Sequence, residues 1–310
     1  MALFLGIDTS NYTTSAAIYN SADDTVLSNK KLLPVKTGER GIRQSDAVFH
    51  HTVQLPDIID GLDFQGKIAA VGASDRPCDR AGSYFPCFRV GISTARAIAK
   101  ITGVPIYFHS HQHGHIAAAL WSGKRLDLLQ NEFIAFHISG GTTESVICKP
   151  DSEKIFSTEP LLSSLDLNAG QVIDRVGVAM GLPFPSGKYI EELALKSDKA
   201  FKIHPFTRDG NPSLSGLENK CADMLKKGET QEDTAKFCLD FIRASLEKML
   251  LSVFENYGEL PVVFSGGVMS NSIIRDFFTK KYGAVFGLPQ FSTDNAAGTA
   301  ILAKLKYEFK

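Results

Sequence analysis

The sequence predicts an α/β fold, on three observations. Apolar runs of strand length alternate with helix-like segments along the 310 residues. Two of those runs end in similar small polar turns followed by Thr-Thr and a Ser, "TTS" at 13–15 and "TTES" at 142–145. No linker divides the chain cleanly, the best break being near Ser122 to Asn131. The repeated pattern reads as a faint internal duplication, one copy per lobe.

The elements follow in order. Leu3 to Ile7 is an apolar strand that ends in Asp8-Thr9-Ser10, and Thr14 to Tyr19 returns from it as a hairpin. A helix-like segment covers Asp46 to Leu62, and a strand covers Ile68 to Ala73. An Arg-rich loop leads to a helix over Gly91 to Thr102 and a strand over Val104 to Phe108. The second hairpin lies within "NEFIAFHISGGTTESVICKP", Asn131 to Pro150. Asn168 to Met180 reads as a helix that stops at the Gly/Pro breaker "GLPFPSG". Thr230 to Glu255 is a long amphipathic helix. "LPVVFSGGVMSN" is a buried strand that runs into a Gly-Gly turn and a helix start. "STDNAAGTAILAKLKYEF" is a closing helix, with Ser292 or Thr293 as its N-cap, and it is expected to pack back on the first lobe.

Composition bounds the function. The chain is 44% hydrophobic and 22% charged, with a formal net charge of -1, so it is no strongly basic nucleic-acid binder. RNA binding would need a local basic patch or a partner that supplies one. Five cysteines, at 78, 87, 148, 221 and 238, fit reduced thiols in a cytosol better than a disulfide framework. The opening "MALFLGIDTSN" has no basic n-region, and no apolar run has the length of a membrane span. The expected location is cytoplasmic.

Four of the eight histidines fall within seven residues, at His109, His111, His113 and His115. Ser110 can cap a helix that runs through "AAALW". In that register His111 and His115 share a face and can jointly hold a metal ion. In an extended segment all four would line one face; the Ala run favours the helix. One pair is a weak metal signal without a third ligand. A zinc-protease reading fails, because none of Gln112, His113 and Gly114 is a carboxylate.

Ser139-Gly140-Gly141-Thr142 and Ser265-Gly266-Gly267-Val268 each follow an apolar strand. Glycines there let backbone N–H groups converge on an anion. A helix that opens after the second turn also favours phosphate. Together the two turns suggest a nucleotide clamped between two lobes.

"FLGIDTSNYTTSAA", "HQHGH", "HISGGTT", "NAGQVIDRVGVAMGLPFPSGKYIEELA", "FSGGVMSN" and "STDNAAG" stand in this order and rough spacing. The chain thereby resembles the TsaD family, the tRNA threonylcarbamoyladenosine synthases, over nearly its whole length. The resemblance implies the two-lobed actin/Hsp70-type ATPase fold (ASKHA, a duplicated RNase H-like unit). The N-terminal lobe would comprise 1–130, completed by a C-terminal helix 293–310, and the second lobe 131–292. It also implies a metal site of His111, His115 and Asp294, with His137 where some members use a tyrosine as a further ligand. Ser139, Gly140 and Gly141 match the phosphate-facing turn. Asp174, Gly187 and Glu191 match nucleotide- and ribose-side positions, and Asn271 follows the second Gly-Gly turn. Asp8 takes the place of a usual glutamate. The implied cofactors are one divalent metal ion, with Fe, Zn and Mg not distinguished, and an adenine nucleotide or acyl-adenylate. The implied reaction moves a threonylcarbamoyl group from its adenylate to N6 of adenosine in tRNA, in a complex with TsaB- and TsaE-like proteins.

The chain also departs from the family wording. "SDRPCDRAGSYFPCFRVG" is longer than the usual Gly-Pro-Gly loop, and its Arg76, Arg80 and Arg89 are either a clamp for a carboxylate or phosphate or a solvated loop. "GERGIRQSDAVFHH", Thr142, Gln171, Arg175 and Gly298 also differ, and the expectation is that they cluster where an acceptor or a partner docks. Two further functions stay open on these grounds: a related carbamoyltransferase that uses carbamoyl-adenylate on a small molecule or protein, and a non-catalytic nucleotide-binding subunit.

Overall fold

The computed structural model describes residues 2–10, 12–34 and 42–309. Asn11 of the first turn, and the first four residues of "GERGIRQSDAVFHH", lie outside them. The chain divides into two compact units. The first comprises Met1–Asn131, Lys149–Ser157 and Gln290–Lys310, and the second Glu132–Cys148 and Thr158–Pro289. The sequence reading put 131–292 wholly in the second lobe. Lys149–Ser157 fall in the first because Phe156 stacks on the His113 ring, Lys154 pairs with Asp79, and Lys306 donates to the carbonyl of Glu153.

In the first unit the elements run β1 (Leu3–Asp8), β2 (Thr13–Asn20), β3 (Thr25–Leu32), α1 (Gln44–Asp60), β4 (Ile68–Arg76), α2 (Phe88–Thr102), β5 (Ile106–Ser110) and α3 (His111–Ser122). The sheet order is β3-β2-β1-β4-β5. β1 is antiparallel to β2 and parallel to β4, which is parallel to β5. Side chains on β1 alternate between the faces, as the pleat requires. Leu3, Leu5 and Ile7 pack with Leu55 and Ile58 of α1 and Ala95 and Ala99 of α2. Phe4 packs with Ala118 and Trp121 of α3 and with Ala297, Ala300 and Ile301 near the C-terminus. Gly6 and Gly72 lie on the second face, where a Cβ would meet the backbone of Ala296, Ala300 and Thr299.

The second unit begins with β6 (Phe133–Ile138), β7 (Thr143–Asp151) and β8 (Ile155–Ser163), the last two extending into the first unit's residues. Then follow α4 (Ala169–Ala179), α5 (Gly187–Ala194), β9 (Thr207–Arg208), β10 (Asn211–Pro212), α6 (Ser215–Lys226), α7 (Gln231–Tyr257), β11 (Val262–Ser265), α8 (Ser272–Tyr282) and β12 (Val285–Phe286). The order β8-β7-β6-β11-β12 repeats that of the first sheet, with β6 antiparallel to β7 and parallel to β11. The core under this sheet joins Phe136, Ile138 and Phe264 to Val172 and Val176 of α4, and to Leu239, Ile242 and Leu246 of α7.

α9 (Pro289–Ser292) and α10 (Ala297–Glu308) close the chain. The expected N-cap is corrected here. The final helix starts at Ala297, and Asn295 Oδ1 accepts the Ala297 N–H (3.0 Å), so Thr293 and Asp294 belong to the preceding turn. The second Gly-Gly turn likewise opens a short 3₁₀ turn, Gly267–Ser270, before α8 begins.

Candidate active site

Ser110 ends β5 in an extended conformation, and its side chain accepts the His113 N–H, so strand turns into helix at His111. That sets the helical register of His111, His113 and His115. His111 and His115 lie one turn apart with Nε2 atoms 3.0 Å apart. His113 faces another way, buried against Phe156, with Nε2 3.4 Å from Asp79. His109, still on β5, is buried. Burial pushes the pKa of His109 down to about 3 and that of His113 to about 4, so both are neutral packing groups.

Asp294 completes the cluster. Its Oδ1 lies 3.3 Å from His115 Nε2 and 3.6 Å from His111 Nε2. Thr13 Oγ1 donates to its Oδ2 (3.3 Å). Among the described residues, these three make up the group of donor side chains close enough to hold a metal ion, all within 4.8 Å of one another. Asp8 is placed here too, not at the nucleotide-side turns. It is buried, and His111 Nδ1–H donates to its Oδ2 (2.7 Å) while Ser10 N–H donates to its Oδ1 (2.7 Å). Asp8 therefore fixes the tautomer of His111 and aims the Nε2 lone pair at the cluster.

Electrostatics agree with a cation at this point. Burial works against a charged His111, but Asp8 and Asp294 outweigh it and hold its pKa up to about 10. Burial would raise Asp294, yet the two imidazoles hold it well below the usual carboxylate range. His115 is lowered by burial and by the charge on His111. Two imidazole nitrogens and a carboxylate at these spacings repel or attract according to what lies among them, and only a proton or a metal cation makes the set favourable. The donor set, nitrogen and oxygen with one tethered second partner, suits a divalent ion. His111 and Asp294 remain partly open, at 18% and 30% side-chain exposure, which leaves room for further ligands.

Two supports had no signal in the sequence. Lys30 on β3 donates to Thr293 Oγ1 (2.7 Å) and also reaches the Asp294 carbonyl (3.4 Å). Asn295 donates to the carbonyls of Phe291 and Thr293, locking the turn that carries Asp294. Gly298 has a packing role. A Cβ there would stand 1.8 Å from the Gly114 carbonyl oxygen, so only glycine lets α10 lie against the helix of the histidines.

The predicted anion-facing residues lie in the second unit. β6 and β11 are parallel neighbours in register, Ser265 beside His137, so their two Ser-Gly-Gly turns leave the same sheet edge side by side. Gly266 has φ +98°, and a Cβ on it would meet the Ile138 carbonyl oxygen at 2.2 Å. Ser139 Oγ accepts from the N–H groups of Gly141 (3.2 Å) and Thr142 (3.0 Å). A Cβ on Gly140 or Gly141 would meet nothing within 4 Å, while Gly170 packs close against the Gly140 backbone. Strand ends of this kind are where open α/β sheets place ligands.

The other assignments separate into roles. Asn271 caps α8, accepting from Ile274 N–H (3.1 Å). Glu191 accepts from the N–H (2.7 Å) and Oγ of Ser272 beside it. Asp174 accepts from Ser186 N–H (2.7 Å), which orients the loop ahead of Gly187, the first residue of α5; burial raises its pKa. His137 belongs to this unit, with Nδ1 3.2 Å from Ser265 Oγ, and is not one of the three clustered donors.

Three departures from the family wording have local partners in the fold, Gln171 and Arg175 being exposed. Gln171 closes a capping box with Asn168, Arg175 pairs with Glu218 (3.0 Å), and Gly298 packs as described. The clamp of three arginines also loses a member. Arg76 is held by Asp75 and by Asp79 (2.8 Å).

Fold and site together define an α/β protein of repeated sheets, with a carboxylate-tethered histidine cluster in one unit and paired glycine turns in the other. Crystal structures of the same fold include full-length HypF in its phosphate- and nucleotide-bound form, at TM-score 0.61 and 11% identity over 99% of this chain and 46% of that one. The chain belongs to the TsaD family, tRNA N6-adenosine threonylcarbamoyltransferase, whose model matches residues 26–301. That membership places it among enzymes that transfer a threonylcarbamoyl group. Relatives of that name include proteins from Methanococcoides burtonii (27% identity, 99% of this chain and 90% of that one) and Thermosipho melanesiensis (31% identity, 96% and 93%). No helix among the described residues is long and apolar enough to cross a membrane.

Proposed function

We propose that this chain transfers a threonylcarbamoyl group from threonylcarbamoyl-AMP to N6 of an adenosine in tRNA, in a metal-dependent reaction. The observation that carries the metal dependence is the convergence of His111, His115 and Asp294, with Asp8 behind His111. These three would hold a divalent ion, which when bound supplies Lewis-acid polarisation of a carbonyl or phosphate oxygen. The chain's own groups do the rest. Asp8 keeps the proton on His111 Nδ1. The Gly140 N–H and those of the Gly266–Gly267 turn would offer fixed dipoles to the phosphate of the adenylate, while the Ser139 and Gly141 N–H groups hold the first turn in shape. Asp174 and Glu191 are the carboxylates available to ribose hydroxyls. Companion proteins resembling those of other family members would supply the adenylate and part of the RNA-binding surface, and the location would be cytoplasmic.

Transfer to a small acceptor is the weaker reading. It leaned on altered positions, and one of those, Gly298, is accounted for by helix packing. The test is metal content and transfer by the purified protein, given threonylcarbamoyl-adenylate and unmodified tRNA. Wild type is expected to hold about one equivalent of divalent metal and, with its companion proteins present, to label tRNA. Asp294→Asn and His115→Ala should lose both the ion and at least a hundredfold in rate. Undiminished labelling by metal-free wild type would end the metal-dependent reading.

A further inference from the structure

From Phe201 to Arg208, between α5 and the end of β9, exposure alternates residue by residue. Phe201, Ile203, Pro205 and Thr207 are half-buried, while Lys202, His204, Phe206 and Arg208 are exposed. A period of two is that of an extended chain, which turns successive side chains to opposite sides. The inward side holds the segment in place. Ile203 packs against the core of the second unit, and the Phe201 ring stands edge-on to Phe237, with centroids 5.2 Å apart. The backbone is anchored as well. Lys248 Nζ donates to the Pro205 carbonyl (3.3 Å), Ser213 N–H donates to that of Phe206 (3.1 Å), and β9 pairs with β10.

The outward side has no partner inside the molecule. Among the described residues, no carboxylate lies within ion-pair distance of Lys202, His204, Arg208 or Lys248, whereas Lys199 just before them is held by Glu229 and Asp233. The next carboxylate in the chain, Asp209, follows in the left-handed region (φ 50°), which ends the alternation. Phe206 stands among these groups, 59% exposed. Next-but-one residues of an extended chain are about 7 Å apart, so Lys202 to Arg208 cover about 20 Å. Cations on an anchored backbone with no internal counter-ion find one outside the chain.

The counter-ion is narrowed by what stands in the row. A protein interface gains most from a desolvated apolar core and is depleted in lysine, and here a single ring stands among three cations. A free nucleotide would meet one or two of those cations and leave the rest. A polynucleotide meets them all, since its phosphates pair with the cations while an unpaired base lies on the ring. The transfer reaction of the family brings an RNA to this chain, and with a net charge of -1 the chain has to hold it through local patches. We propose that Lys202, His204, Arg208 and Lys248, with Phe206 among them, form a contact strip for the sugar–phosphate backbone of the acceptor tRNA. The strip positions the RNA and reads no sequence. This deepens the transferase reading and rests on it.

The test uses the full-length protein and fluorescent unmodified tRNA, followed by anisotropy over a series of salt concentrations. Lys202→Gln/Arg208→Gln should bind about tenfold more weakly at low salt and reduce the slope of log affinity against log salt by about 1.5. Phe206→Ala should weaken binding about fivefold without changing the slope, and Phe206→Tyr should bind as wild type. Lys67→Gln/Lys100→Gln removes two exposed cations from the first unit as a charge-matched control and should also bind as wild type. All variants should keep the wild-type urea midpoint and bind threonylcarbamoyl-adenylate unchanged. Wild-type affinity and slope in the strip double variant overturn the proposal. So does an equal loss in the control, which marks bulk charge, or a loss that tracks a lowered urea midpoint, which marks a merely structural segment. A wild type that binds polyglutamate as tightly as tRNA, or binds no tRNA, also overturns it. A wild type that binds tRNA through the strip but takes no threonylcarbamoyl-adenylate refutes the transferase reading instead.

Discussion

The carboxylate of Asp8 decides which nitrogen of His111 is offered to the cluster, through a 2.7 Å hydrogen bond to Nδ1. Asp8→Asn keeps the shape but offers an amide that can accept only through one oxygen and carries no charge. Divalent-metal affinity should fall 10- to 100-fold, measured by competition with a chelator. Gly298 is the second single-residue lever. Gly298→Ala drives a methyl into the Gly114 carbonyl, backbone that has no rotamer to escape into. Denaturant unfolding should show a loss of about 3 kcal/mol, the upper end for overpacking. Gly114 lies between His111 and His115 on α3, so metal retention should fall in the same variant.

At the level of elements, helix starts were legible where a side chain caps its own helix. Ser110 for α3 and Thr230 for α7 are such cases, each accepting an N–H three residues on. α6 was not legible, since its start is held from a distance. Asp166 accepts from the N–H groups of Leu214 (2.8 Å) and Ser215 (3.2 Å) and from the hydroxyls of Ser213 and Ser215. Those hydroxyls and N–H groups outweigh the effect of burial and hold the Asp166 carboxyl far below its ordinary value. A lowered folded pKa means that this contribution is present above about pH 4 and lost as the pH falls below it. Asp166→Ala should cost about 1–2 kcal/mol at pH 7, the carboxylate being exposed and its charge screened. The difference from wild type should shrink below pH 4, checked by urea midpoints across pH.

At the scale of the whole molecule, each unit has its own core, and all three clustered donors lie in the first. The single tryptophan of the chain, Trp121, lies buried at the end of α3 in that same unit. Removing the metal should therefore lower the midpoint followed by tryptophan fluorescence. A site filled at a hundred times its Kd contributes about 2.7 kcal/mol. The part of the circular dichroism transition that comes from the second unit should stay where it was. Coincident shifts in both signals would mean that the units unfold as one.

The sequence by itself determined the α/β class, most element positions, the face shared by His111 and His115, and the pair of glycine turns. These follow from periods of two and 3.6 residues and from local turn chemistry, which act over a few neighbours. The resemblance added Asp294 as a ligand but not its place on a turn ahead of the last helix. Only the tertiary structure decided that Asp8 serves His111, that Lys30 and Asn295 hold the Asp294 turn, and that Gly298 is required by helix packing. It also took Arg76 out of the supposed clamp and left the tip of the loop exposed. Such contacts join residues up to 281 positions apart, as Thr13 and Asp294 are, and no local pattern records which distant groups the folded backbone brings face to face.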